Sequence, residues 1–152
     1  MDASVQAIQT LLTETRTASL ATQGKHGPEA SMTPFALHGE QILLHTSTLA
    51  RHTANMRQHP QVGLLICTAE RPGESPLALP RLTLQGHVET IEAGGVEAAK
   101  AAYLHHIPEA EMLFSFADFQ LFQLRPCKIH WVGGFGKARF ISSQQWQHIT
   151  AS

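Results

Sequence analysis

Charge is scarce in this chain and evenly divided. Only 15% of its 152 residues are charged, with 11 lysines and arginines against 12 aspartates and glutamates. Such a balance leaves no basic field to draw in nucleic acid or an anionic membrane surface. Cysteine is nearly missing too: Cys67 and Cys127 lie in apolar or strand-like contexts without CxxC spacing. No signal-peptide pattern opens the chain, and no apolar run is long enough to cross a bilayer, so the expectation is a reduced, cytoplasmic protein. Internal repeats and low-complexity tracts are absent, which predicts one domain over residues 1–152 with a respectable core. A more local absence stands out. From Gln41 to Ala69 there is no acid at all, although Arg51, Arg57, His45, His52 and His59 fall in that stretch.

What is there alternates between two periods. Val5, Ile8, Leu11 and Leu12 recur at helical spacing and predict an opening helix over roughly 3–15. Strand-like segments follow at Thr17–Thr22, Glu29–Leu37 and Gln41–Thr46, separated by GKHGP and His38-Gly39-Glu40. A short helix at about Leu49–Gln58 stops before Pro60, and Val62–Thr68 reads as an apolar strand. Arg71–Pro80, with three prolines, reads as a surface loop. Arg81–Glu92 alternates cleanly, with Leu82, Leu84 and Val88 on one face. Two helical segments, about Val96–His105 and Pro108–Phe116, precede closing strands at Gln120–Leu124 and Lys128–Val132, with a turn expected at Arg125-Pro126. GGFG leads to a last strand at Lys137–Ile141. Six or seven strands with helices at the edges predict an α+β barrel rather than a parallel sheet.

The acid-free stretch reads ILLHTSTLARHTANMRQHP, and it puts Arg51 and His52 near a helix start. Cations are misplaced there with respect to the helix dipole. With Ser47 or Thr48 as the expected N-cap, free N–H groups, hydroxyls and two basic side chains would together suit a phosphate. Otherwise the two cations face solvent at a small cost.

Several strings resemble the FMN-binding split-barrel superfamily typified by pyridoxamine 5′-phosphate oxidase. His45-Thr46 stands where that family has a Tyr-Thr pair, and Arg51-His52 where an Arg-Lys pair holds the FMN phosphate. YLHHIPEAE (103–111) and FQLRPCKIH (122–130) resemble the oxidase's substrate-side segments. LARHTAN (49–55), PRLTLQG (80–86), FADFQLFQL (116–124) and VGGFGKA (132–138) are similar to the HugZ-like haem-utilisation branch, whose longer members carry a further C-terminal domain. The resemblance implies an antiparallel split β-barrel, a homodimer with FMN at its interface, and a small-molecule substrate. It assigns cofactor contacts to Ser31, Met32 and Thr33, to Thr46, Ser47, Arg51 and His52, and to Arg81 from the partner subunit. Substrate-side candidates are Tyr103, Lys128 and His130.

Departures from the oxidase argue against pyridoxine phosphate as substrate. Ile107 and Glu111 replace an arginine and a serine that would clamp its phosphate, and Val132 replaces an arginine at the flavin ring. On the second strand, Glu29 or Ala30 stands where the family has another arginine. No side chain stands out as an obligatory acid or base, so no catalytic residue is assigned. GGFGK lacks the spacing of a phosphate-binding Walker loop and is read as a bend. Of His45, His52 and His59, seven apart, only two can share the short helix, nearly two turns apart and too far for one zinc ion, so no metal site is predicted. Two alternatives stay open: a haem-binding or haem-degrading protein without flavin, and a cofactor-free dimeric binding module.

Overall fold

The computed structural model describes residues 2–151. Asp2 caps the first helix, α1 (Ala3–Glu14), by accepting the Ser4 N–H at 2.9 Å. The strands are β1 (Thr17–Gly24), β2 (Gly27–Pro34), β3 (Ala36–His38), β4 (Gln41–Ser47), β5 (Gln61–Cys67), β6 (Arg81–Thr90), β7 (Phe119–Val132) and β8 (Ala138–Ile141). Three more helices are α2 (Arg51–Gln58), α3 (Val96–His106) and α4 (Ser143–Thr150), with a 3₁₀ segment at Pro108–Ser115 after α3.

All pairings are antiparallel, in the order β2-β1-β5-β6-β7-β4-β3, with β8 on β7. The two ends of that order, β2 and β3, are joined by Phe35 alone, which is fully buried. A sheet whose first and last strands are consecutive in the chain must curl round on itself. Because β2 and β3 do not pair, the curl is an α+β split barrel.

Three expectations need correction. Glu29–Leu37 is two strands, broken at Phe35, whose N–H bonds Arg16 O at 3.1 Å. Arg125-Pro126 is no turn: β7 runs through it, and the register with β6 slips at Gln85/Gly86. Proline, lacking a donor, is tolerated at such a bulge. Glycine is required opposite, since a Cβ on Gly86 would collide with the Arg125 carbonyl. The third is α4, absent from the expected elements. It opens with a capping box in which Ser142 Oγ accepts the Gln145 N–H at 3.1 Å and Gln145 Oε1 the Ser142 N–H at 2.9 Å.

Burial divides into two clusters. Inside the barrel, Leu20, Ile42, Leu44, Leu64, Ile66, Leu82 and Leu84 pack with α1 and α4, which contribute Ile8, Leu11, Trp146 and Ile149. On the opposite face of β3, β4 and β7, Ala36, Leu43 and Leu121 meet Ala99 and Tyr103 of α3, Ile107 just after it and Ala110 of the 3₁₀ segment. Alternate residues of β4 therefore serve both clusters, and five in succession, Ile42–Thr46, are buried.

Candidate functional site

The split in the barrel leaves β2 at the sheet edge, beside the start of α2. That helix begins at Arg51, two residues later than its pattern suggests, with Ala50 in the N-cap position and no side-chain cap bond. Ser47, one of the two residues expected to cap it, spends its hydroxyl earlier. Ser47 Oγ accepts the Leu49 N–H at 3.1 Å and donates towards Asp118 Oδ2 at 3.4 Å. Thr53 Oγ1 reaches back to Thr46 Oγ1 at 2.8 Å. In the first turn of α2 the Thr53 N–H bonds Ala50 O at 3.2 Å, which leaves the Arg51 and His52 N–H groups without an acceptor among the described residues, the condition that favours an anion.

Thr22, Glu29, Ala30, Ser31, Arg51 and His52 line a cleft of about 510 Å³ at this helix start. Ser31 Oγ and His52 Nδ1 are 2.8 Å apart across it. Partial burial draws the His52 pKa downward, towards the neutral ring. Arg51 is largely exposed but is not free: it grips Glu29 through both Nε, at 3.2 Å, and Nη2. Glu29 also accepts Asn55 Nδ2 at 3.0 Å. These bonds, that to Arg51 foremost, hold the Glu29 carboxyl below its ordinary pKa. The acid-free stretch is thus acid-free only along the chain. In space, Glu29 from β2 and Asp118 from the segment before β7 both approach it.

Of the expected cofactor contacts, Ser31, Arg51 and His52 come together in this cleft. Met32 points to the other face of β2 and is 65% exposed. Thr33 is buried and bonded to its neighbour's carbonyl at Pro34 O, 2.9 Å away. Thr46 is buried beneath Thr53, and Ser47 is half-buried. Arg81 lies beside Cys67 and Val132, at the end of β5 remote from Thr22, and donates to Leu77 O at 3.2 Å and Leu79 O at 3.0 Å. Thr22, Glu29 and Ala30 are the cleft residues to which sequence reasoning gave no contact, and Asn55 bonds the first two. The hairpin at GKHGP carried the signal, since it sets Glu29 opposite Thr22.

The substrate-side candidates separate. Tyr103 is 1% exposed within the cluster under α3, and burial pushes its phenol up to about 12. There it meets His45 edge-on at 5.5 Å, and His45 stacks on Phe114 at 3.8 Å. Lys128 and His130 stand instead on the outer face of β7, sharing Phe140 of β8. Lys128 Nζ is 5.1 Å from that ring's centre and the His130 ring 4.8 Å. Among the described residues, no group of three or more His, Cys, Asp or Glu side chains is arranged to hold a metal ion, and no helix is long and apolar enough to cross a membrane.

An antiparallel barrel split between consecutive strands is the architecture of the pyridoxamine 5′-phosphate oxidase-like split barrels. The sequence profile of the pyridoxamine 5′-phosphate oxidase family matches residues 4–133, and the chain belongs to that family, in its HugZ-like branch. Over 135 residues it is 30% identical to the haem oxygenase HutZ of Vibrio cholerae, covering 85% of this chain and 76% of that one. A haem-binding protein from Mycobacterium smegmatis superposes with a TM-score of 0.87 at 29% identity, over 97% of this chain and 61% of the other. Campylobacter jejuni ChuZ shares the fold, with a TM-score of 0.84 at 18% identity over 95% of this chain and 61% of its own. The chain thus spans about three fifths of the length of these two solved structures.

Proposed function

We propose that this chain is a flavoprotein that binds FMN at a homodimer interface and acts as an oxidoreductase on a small molecule other than pyridoxine phosphate. The observation that carries the reading is the cleft at the start of α2. Its uncapped N–H groups, the Ser31–His52 pair and the Arg51 guanidinium suit a phosphate monoester, provided Arg51 turns from Glu29. When bound, the flavin supplies redox chemistry at its ring, while the protein's groups hold and orient it.

Dimerisation is supported by the outer face of β1, β5 and β6. Thr17, Ser19, Ala21, Leu65, Thr83 and Gln85 form an exposed uncharged stretch there, with Arg81 and Glu89 of β6 on the same face at either end. Charge depletion marks the centre of protein interfaces. Lys128 and His130 border this face through their pairings with Gln85 and Thr83. A partner docked on it would bring these two, and Arg81, towards a flavin held by the neighbouring subunit.

A second reading, haem binding, is favoured by the names of the two relatives at 29–30% identity, a haem oxygenase and a haem-binding protein. Titrating the purified chain separately with FMN and with haemin distinguishes the two. Quenched flavin fluorescence and a melting temperature that rises with FMN concentration are expected, because a ligand specific for the native state must stabilise it. A Soret band with haemin, and no response to FMN, would replace the first reading by the second. Indifference to both would leave a dimeric binding module.

A further inference from the structure

Glu29 sits in the cleft with more support than an incidental surface acid receives. Arg51 offers it two donors of the guanidinium fork, and the Asn55 amide adds a third while also donating to Thr22 Oγ1 at 3.0 Å. Room for the carboxylate comes from Gly24, across the hairpin: a Cβ there would run into the Glu29 side chain from Cγ to Oε2. The Glu29 side chain is only 28% accessible, against 81% for Arg51. A guanidinium fork and a carboxamide converging on two oxygens is the donor set that receives phosphates and carboxylates from ligands. Here the chain fills it from within.

We propose that Glu29 is an internal stand-in for phosphate, which occupies Arg51 and so sets this chain's discrimination between phosphorylated and unphosphorylated flavin. The proposal rests on the flavin reading above. As a surface ion pair, Glu29–Arg51 adds little to folding and opens readily. A phosphate dianion entering the cleft must nevertheless take Arg51 from a carboxylate that stays close by and stays charged, and like charges at such range repel. Riboflavin, which lacks the phosphate, meets no such opposition. Glu29 thus weakens FMN selectively and narrows the advantage that a phosphate site would otherwise give it over riboflavin.

The test measures dissociation constants for FMN and riboflavin by flavin fluorescence. The full chain is compared with Glu29→Gln and Glu29→Ala, and each of the three also carrying Arg51→Ala, with thermal unfolding to verify the fold. Glu29→Gln is expected to tighten FMN about ten-fold or more, equivalent to roughly 1.4 kcal/mol, and to leave riboflavin within about two-fold. With Arg51→Ala present, the gain on FMN is expected to be several-fold smaller, since no guanidinium remains to be released and only the carboxylate–phosphate repulsion is relieved. Unchanged FMN affinity in the folded Gln and Ala variants, with riboflavin still bound, overturns this inference and spares the flavin site. An equal gain for both flavins, or failure of both Glu29 variants to fold, also overturns it. Binding of neither flavin by any variant removes the flavin reading itself, and this inference with it.

Discussion

The two apolar clusters of this protein share strand β4 but differ in kind. The barrel interior buries threonines but, among the described residues, no titratable side chain, and it is closed by α1 and α4 with Ile8, Trp146 and Ile149. The cluster under α3 encloses His45, which is 6% exposed and whose Nδ1 is buried without a hydrogen-bond partner. Burial alone depresses its pKa from 6.5 to about 4, so the ring is neutral at pH 7. One cluster is therefore indifferent to acid and the other is not. A strand used on both faces can put its stability into one side and a titratable liability into the other.

The largest effect expected is in the barrel. Leu44→Ala removes a fully buried side chain and is expected to cost about 3–4 kcal/mol in chemical denaturation, with the same loss at pH 7 and pH 5. A marked difference between those two pH values would blur the distinction between the clusters. Next comes acid itself. An unfolded His45 takes up a proton below its ordinary pKa, while the folded one resists until about pH 4. Its contribution is complete above about pH 6.5, declines as pH falls from there to 4, and is then spent, a total of up to about 3 kcal/mol. Denaturation midpoints measured across that window should flatten in His45→Leu. If the slope persists in that variant, other groups carry the acid response.

Smaller effects sharpen the comparison at its edges. Ser142→Ala removes the cap of α4, which covers the barrel, and is expected to cost about 1 kcal/mol in thermal unfolding. Arg16→Ala breaks the exposed 2.7 Å pair with Glu109, which ties the end of α1 to the 3₁₀ segment of the second cluster. About 0.5 kcal/mol or less is expected, and less still in high salt. A loss above 1 kcal/mol would mean that the two clusters are coupled through this pair.

Much of the architecture was legible because burial alternates locally. Val5, Ile8, Leu11 and Leu12 declare α1, and Leu82, Leu84 and Val88 declare β6, by period alone. The cap at Ser142 and Gln145 was equally local and passed unread. Pro126 misled for a different reason. Proline marks either a turn or a bulge, and only the strand opposite, with Gly86, decides between them. Tyr103 and His45 were legible as residues but not as neighbours, since α3 folds over β4 from more than fifty positions away.

By itself, then, the sequence determined most of the helices and strands and the presence of two basic side chains where α2 begins. Tertiary structure alone decided which acid those cations would meet, which face of β4 would hide a histidine, and that the sheet would split at Phe35. Periodicity is a relation between residues a few positions apart, which the chain carries wherever it goes. Charge pairing and register are relations between segments, and they exist only once folding has set Glu29 22 positions along the chain but two hydrogen bonds away from Arg51.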